Sequence, residues 1–435
     1  MNLLGSNSFA IAGRSGSVVL SSCIAPHFSD CGQRNPLSET SRCGCLRRAW
    51  IRGALTVGIV LALGNDMPAP TAKSFPTGAD DYDVVIVGGG PAGSTAAIRL
   101  KQNNAALRVL LVDAAVFPRE KLCGGGIVRQ TDRLLGFLGL RINVPSVSID
   151  TIQFAYPGGG STQRGPKLFR VVRREDFDHA LFKEAQARQV ETLEDTRVRG
   201  LLRRADGIHL QAGSRALRAQ VVIGADGARS VVRRTLVASQ HSSRFVALET
   251  LTGIPGCRSA EAIAGTARCD FRSGAHGLRG YYWEFPSIRR GEPTMNRGLG
   301  GEAWPDNVSL KSLFATHLRE RDVVLGDDDL QGATAPLYHP ASPQSAERVV
   351  LAGDAVGIDP WFGEGISVAV GTGMLAAHAA TEALTSGDFT FPRYRQRVAD
   401  SATGWMLRKN RATARAFYRA GRMPGGMARW LGGAS

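Results

Sequence analysis

Asp81-Tyr82-Asp83-Val84-Val85-Ile86-Val87-Gly88-Gly89-Gly90-Pro91-Ala92-Gly93 holds a strand, a turn and the start of a helix in thirteen residues. The β-branched run Val84 to Val87 has the composition of a strand buried on both faces in a parallel sheet. Gly88, Gly90 and Gly93 follow it in G-x-G-x-x-G spacing, and Ser94 to Lys101 carries an amphipathic pattern. A second apolar run, Val109 to Val112, ends in Asp113. Strand, helix and strand predict a βαβ unit. Within it Gly88 permits a tight turn, Gly90 lets backbone approach a pyrophosphate, and Gly93 lets helix and sheet pack closely. The pyrophosphate then meets unpaired amides at the helix N-terminus. Asp113 stands where a carboxylate accepts both hydroxyls of an adenosine ribose.

The chain around this unit has 435 residues, which suits two interleaved domains or one large α/β unit. At 43% hydrophobic and 21% charged it is neither a fibre nor wholly disordered, and its 52 glycines lack the three-residue period of collagen. The net charge of +15 favours anionic partners without bearing on fold. It comes with no recognition helix, zinc-finger spacing or RNA-binding aromatic motif, so no nucleic-acid partner is expected. The seven cysteines, at 23, 31, 43, 45, 123, 257 and 269, include no C-x-x-C pair. An odd total and eight scattered histidines predict neither a disulfide framework nor a metal site, and point to a reducing cytoplasm.

Residues 1–76 show no sustained period and carry seven basic against three acidic side chains. The apolar run Ala54 to Leu63 follows Arg47, Arg48 and Arg52 and is shorter than the ~20 residues that span a bilayer. An unstructured leader, or a start at Met67 instead of Met1, is the expectation; an export signal or an anchor are the alternatives.

Two later motifs identify the dinucleotide. Val221-Val222-Ile223-Gly224-Ala225-Asp226-Gly227 runs a strand into an Asp-Gly turn, and Val349-Val350-Leu351-Ala352-Gly353-Asp354 ends a strand in Gly-Asp. The second continues through Trp361-Phe362-Gly363-Glu364-Gly365-Ile366 into a helical pattern. With the first glycine loop, these motifs resemble the FAD-dependent monooxygenase and reductase superfamily. The resemblance implies a glutathione-reductase-like FAD-binding Rossmann fold, of class α/β, with an interleaved β-sheet substrate domain and a C-terminal helical tail. It implies that Gly88, Gly90, Ala92, Gly93, Asp113, Asp226, Gly227, Gly353 and Asp354 bind FAD, Asp354 through the ribityl chain. Gly363, Gly365 and Ile366 would set backbone amides near the flavin's pyrimidine edge, where a helix dipole favours negative charge.

Val172-Arg173-Arg174-Glu175-Asp176-Phe177-Asp178 resembles the family's helix start, whose arginine, Arg174 here, reaches the flavin side; an exposed basic turn capped by Asp176 is the other reading. Pro118-Arg119-Glu120-Lys121-Leu122-Cys123-Gly124-Gly125 and Gly280-Tyr281-Tyr282-Trp283-Glu284-Phe285-Pro286 resemble the geranylgeranyl reductase group. That likeness adds Arg119 to the cofactor residues and makes Cys123, Tyr281 and Trp283 the candidate catalytic set. Strand alternation puts Tyr281, Trp283 and Phe285 on one face, as an apolar wall beside the flavin or simply as core.

The implied organisation is an FAD-binding domain of 77–145, 171–240 and 346–385, a substrate domain of 146–170 and 241–345, and a basic helical segment over 386–435. The implied function is an FAD-dependent oxidoreductase that passes hydride to carbon–carbon double bonds of an isoprenoid or other apolar substrate. NADPH or another donor would reduce the FAD. A flavin monooxygenase or halogenase-like enzyme, and an FAD-binding maturation factor for a partner protein, are the alternatives. No second dinucleotide fingerprint accompanies the first, and Tyr281 and Phe285 depart from the halogenase Trp-x-Trp-x-Ile-Pro pattern. The tail interleaves arginines with Trp405, Phe417 and Tyr418, a pattern suited to lying on anionic lipid or to packing with a solvated basic face.

Overall fold

The computed structural model describes residues 81–420, except 239–242, 255, 257–262, 303–305 and 325–328. The leader expected over 1–76 and the basic segment beyond 420 lie outside these residues. The first elements are β1 (Asp81–Val87), α1 (Pro91–Asn103), β2 (Val109–Val112), β3 (Gly126–Val128), α2 (Arg129–Phe137), β4 (Ser146–Tyr156) and β5 (Gly159–Val172). Next come α3 (Arg174–Ala187), β6 (Glu191–Leu193), β7 (Val198–Arg204), β8 (Gly207–Ala212), β9 (Arg215–Gly224), β10 (Arg244–Gly253), β11 (Thr266–Asp270) and β12 (Gly280–Arg289). The chain continues through β13 (Glu292–Gly301), α4 (Leu310–Arg319), β14 (Gln331–Pro336), β15 (Ser345–Ala346), β16 (Val349–Leu351), α5 (Ile366–Ser386), α6 (Tyr394–Asp400) and α7 (Ala402–Ala420).

The β-branched run does form a central parallel strand. β1 pairs in parallel with β2, Val85 opposite Leu110, and with β9, Ile86 opposite Ile223. β16 extends the parallel set beside β9, and β6 extends it beside β2. The antiparallel strands β7 and β8 continue from β9. Val84, Val85, Ile86, Leu110 and Leu111 are wholly buried, each worth about 1.5–3 kcal/mol on burial. Helices α1 and α5 lie close because Gly373 has no side chain; a Cβ there would stand 2.3 Å from the Ala92 carbonyl oxygen.

The second sheet has the order β14-β10-β13-β12-β11-β4-β5-β3. The sequence shows only short β-prone pieces between 241 and 340, whereas the structure has ten-residue strands β10, β12 and β13. Glycines disguise them: a Cβ on Gly298 would stand 2.0 Å from the Trp283 ring, and one on Gly300 would stand 2.5 Å from that of Phe245. Strand β3, placed by the sequence in the first domain, pairs with β5 and so joins the second sheet.

Candidate active site

A cavity of about 1560 Å³ is lined from both sheets. Single-ligand pockets usually run to ~300–1,000 Å³, so this one has room for a dinucleotide and a second molecule. Its first stretch is the turn after β1. Gly88 has φ +105°, and a Cβ there would lie 2.3 Å from the Ala225 carbonyl oxygen. Gly90 caps α1 without a side-chain bond and has only Arg119 Nη2 near its missing Cβ, at 3.2 Å. Ala92 lines the cavity beside it. Gly93 does not; it lies behind the turn, where a Cβ would strike the Gly88 carbonyl oxygen at 1.8 Å. Asp113 accepts the Gly89 amide at 2.7 Å and the Ala115 amide at 2.8 Å, one on each carboxylate oxygen. A carboxylate has about four lone-pair sites, so each oxygen keeps one for a ligand.

Arg174 begins α3 and is buried, so it is no exposed turn, and Asp176 does not cap the helix: the cap is Arg173, without a side-chain bond. Its Nε and Nη2 donate to Asp178, both at 2.7 Å. Arg119 joins the same carboxylate, Nη1 to Oδ2 at 3.3 Å. Burial alone would lower the pKa of the Arg174 guanidinium, but Asp178 outweighs it and holds the group above its usual value. Asp226 Oδ2 accepts the Val231 and Val232 amides, while its buried Oδ1 has no partner and Gly227, with φ +74°, has open space beside it.

Gly353 has φ +63°, and its amide donates to Thr372 Oγ1 at 2.8 Å, which ties the Gly-Asp turn to α5. Asp354 faces the cavity with Lys121 Nζ 3.8 Å away. Gly363, Gly365 and Ile366 line the same region, and Gly365 caps α5 with no side-chain bond of its own; the carboxylate of the neighbouring Glu364 takes the Ser367 amide at 2.7 Å. Beyond this end the wall turns apolar. Tyr281 and Trp283 share a face, ring centroids 5.7 Å apart, and Tyr281 stacks on Phe271 at 5.1 Å. Tyr281 donates its hydroxyl to the Phe362 carbonyl at 2.8 Å, and burial raises its pKa well above the usual value. Cys123 is half-buried on the cavity wall, its Sγ 3.4 Å from the Gly125 amide.

Three cavity acids escape sequence reading: Glu249, Asp359 and Glu364. Trp283 Nε1 donates to Asn296 Oδ1 at 2.7 Å, and Asn296 Nδ2 donates to Glu249 Oε1 at 2.7 Å and weakly to the Cys123 carbonyl at 3.3 Å. Burial raises the Glu249 carboxyl above its usual range. It also pushes Asp359 up to about 6 and Glu364 up to about 7. Asp359 and Glu364 are spaced as turn and cap residues: Asp359 takes the Phe362 amide, and Glu364 takes the Ser367 amide and hydroxyl. Nothing in the sequence links Glu249 to Trp283, because they meet only through the pairing of β10, β12 and β13.

The partnerless Asp226 oxygen, the open face at Gly90 and the uncapped N-terminus of α1 on one cavity fit an extended dinucleotide. The comparisons with known proteins agree. A family model described as an FAD binding domain matches residues 81–396. The chain is 30% identical over 364 residues to a menaquinone reductase of Mycolicibacterium smegmatis, covering 78% of this chain and 83% of the relative. It is 33% identical over 321 residues to a geranylgeranyl diphosphate reductase of Rhodobacter capsulatus, covering 70% and 76%. The crystal structure of a geranylgeranyl bacteriochlorophyll reductase-like protein from Thermoplasma acidophilum has a TM-score of 0.67 at 22% identity, over 81% of this chain and 91% of that one. A flavin-dependent brominase shares the fold with a TM-score of 0.59 at 19% identity, over 81% and 94%. This chain belongs to the FAD-binding-domain family and is an FAD-dependent oxidoreductase of the geranylgeranyl reductase and flavin monooxygenase superfamily.

Proposed function

We propose that the enzyme reduces carbon–carbon double bonds in the prenyl chain of a lipid or quinone. The observation that carries this reading is the apolar extension of the cofactor cavity, where Ile152, Phe154, Tyr281, Trp283 and Phe285 offer a methyl-branched hydrocarbon chain a wall of rings and methyl groups. Relatives named for menaquinone and geranylgeranyl diphosphate reduction support it. The first sheet, with α1 and α5, acts as the FAD-binding part, and the second sheet acts as the substrate part.

Bound FAD supplies hydride chemistry, using electrons from NADPH or another donor. The chain's own residues do the rest. Gly88, Gly90, Ala92 and the α1 amides receive the pyrophosphate, and Gly93 keeps helix and turn in contact. Asp113 accepts the ribose hydroxyls. Arg119 and Arg174, both held by Asp178, present fixed cations to the flavin side, and Asp226 and Gly227 shape the adjoining turn. Gly353, Asp354, Gly363, Gly365 and Ile366 grip the ribityl chain and ring edge. Tyr281 and Trp283 hold the double bond and, with Cys123, keep water from it. Replacing Trp283 by Ala tests this assignment: FAD content stays at wild-type level while saturated product, weighed by mass spectrometry after incubation with prenyl quinones and polyprenyl lipids, is lost. Wild-type turnover by that variant would refute the role.

No helix among the described residues is long and apolar enough to cross a membrane. We infer that substrate arrives from an anionic lipid surface met by α7, which carries five basic and no acidic side chains. Leu407, Ala414 and Phe417 bury its inner face, while Trp405 at the cavity rim is 57% exposed with Lys409 Nζ 4.8 Å above its ring.

A further inference from the structure

We propose that Glu249 is the proton donor of the reduction and is recharged from solvent through a small polar chamber behind it. This rests on the reductase reading above. Glu249 lies in β10, is 7% exposed, and borders two cavities at once. One is the large cavity, where it stands beside the Cys123 and Trp283 walls through Asn296. The other is a chamber of about 80 Å³. At ~30 Å³ per molecule that volume admits about three waters, and polar walls let them bind. Glu120, Asp329 and Gln331 line it and are exposed, so it reaches the surface; Glu249, with Lys121 and Leu122, lines both it and the large cavity.

Addition of two hydrogens to a double bond needs one hydride and one proton. The hydride brings both electrons from the reduced flavin to one carbon. At the other carbon a C–H bond forms as the Glu249 O–H bond breaks, and the carboxylate left behind takes a proton from chamber water. The net uptake is one proton from solvent per bond reduced. For this the acid has to be protonated at working pH. Burial raises its pKa, while the Asn296 hydrogen bond, the Arg173 charge, the Cys123 amide and the Lys121 charge pull it back. Arg289, ion-paired with Glu120, adds a third cation to the chamber wall, which also carries the acid Asp329. The arrangement suits an acid that is discharged inward and refilled from outside.

The test is anaerobic reoxidation of the FAD-loaded, reduced full chain by a prenyl quinone, followed across pH, with the wild type, Glu249→Gln, Glu249→Asp and Glu364→Gln. General acids contribute on the order of 10²–10⁴-fold, so Glu249→Gln slows reoxidation by that factor and loses the fall in rate at high pH, while Glu249→Asp restores both in part. A second readout needs no substrate: the wild-type minus Glu249→Gln infrared difference spectrum shows a protonated-carboxyl band that fades as pH rises, while the bands of Asp359 and Glu364 are common to both proteins and cancel. Wild-type rate and pH profile in Glu249→Gln would overturn the proposal. So would loss of the high-pH limb in Glu364→Gln alone. Wild-type enzyme that no prenyl compound reoxidises would remove the reductase reading itself, and the proton donor with it.

Discussion

Asp178 takes both bonding nitrogens of Arg174 at 2.7 Å, Oδ1 to Nε and Oδ2 to Nη2, with side chains only 0% and 10% exposed. The i, i+4 spacing in α3 sets the pair, and Arg119 shares the carboxylate from the loop before β3. Breaking a buried pair by deleting one partner costs about 3–5 kcal/mol, since it strands the other charge. Asp178→Ala is expected to lose that much stability in urea and to bind FAD more weakly, because two cations lose their anchor. A change below ~0.5 kcal/mol would mean the carboxylate is idle.

Gly93 and Gly90 separate packing from binding. A methyl group at 93 meets the backbone oxygen of Gly88, whereas one at 90 meets only the movable end of Arg119. Gly93→Ala is therefore expected to cost at least ~1–3 kcal/mol, the usual range for overpacking. Gly90→Ala is expected to melt near wild type and lose yellow colour on gel filtration. The reverse pattern would contradict the placement of the pyrophosphate.

Asp359 and Glu364 make a pH prediction. Their folded values of about 6 and about 7 stand against ~3.9 and ~4.3 in an unfolded chain. Between those limits the folded protein holds more protons than the unfolded one, so these groups cost stability as pH rises from ~4 to ~7. The double variant Asp359→Asn, Glu364→Gln is then expected to lose less stability than wild type between about pH 5 and pH 8. Urea midpoints of the flavin-free proteins measure it; a larger loss in the variant would refute the burial of these acids.

Vesicle sedimentation checks the role proposed for α7. Anionic vesicles are expected to carry down the wild type and zwitterionic ones to leave it in solution, since each surface cation contributes ~1 kcal/mol toward an anionic leaflet. Trp405→Ala with Arg408→Gln should weaken the anionic binding without altering FAD content. Equal partition onto both kinds of vesicle would argue against a charged docking face.

The parallel centre of the first sheet was legible because its signals are local: a β-branched run, three spaced glycines and a terminal acid all fall between Asp81 and Asp113. The flanking strands β6, β7, β8 and β15 carry no such signal and were not legible. The two later motifs were legible for the same reason, each being a strand that ends in its own turn. Asp178 sat inside a motif read for Arg174, but its grip on Arg119 spans 59 positions and no local pattern announces it. Glu249 and Asn296 were invisible because strand register alone brings them to Trp283. In β13, glycines that make room for rings also erased the alternation that marks a strand.

The most direct measurement is a single turnover without oxygen: the FAD-loaded enzyme is reduced, mixed with a prenyl quinone or polyprenyl lipid, and followed by flavin absorbance and product mass. Oxidised flavin should return in step with a product heavier by two hydrogens. Flavin that stays reduced until air is admitted, and then yields an oxygenated product, would contradict the reduction of a carbon–carbon bond.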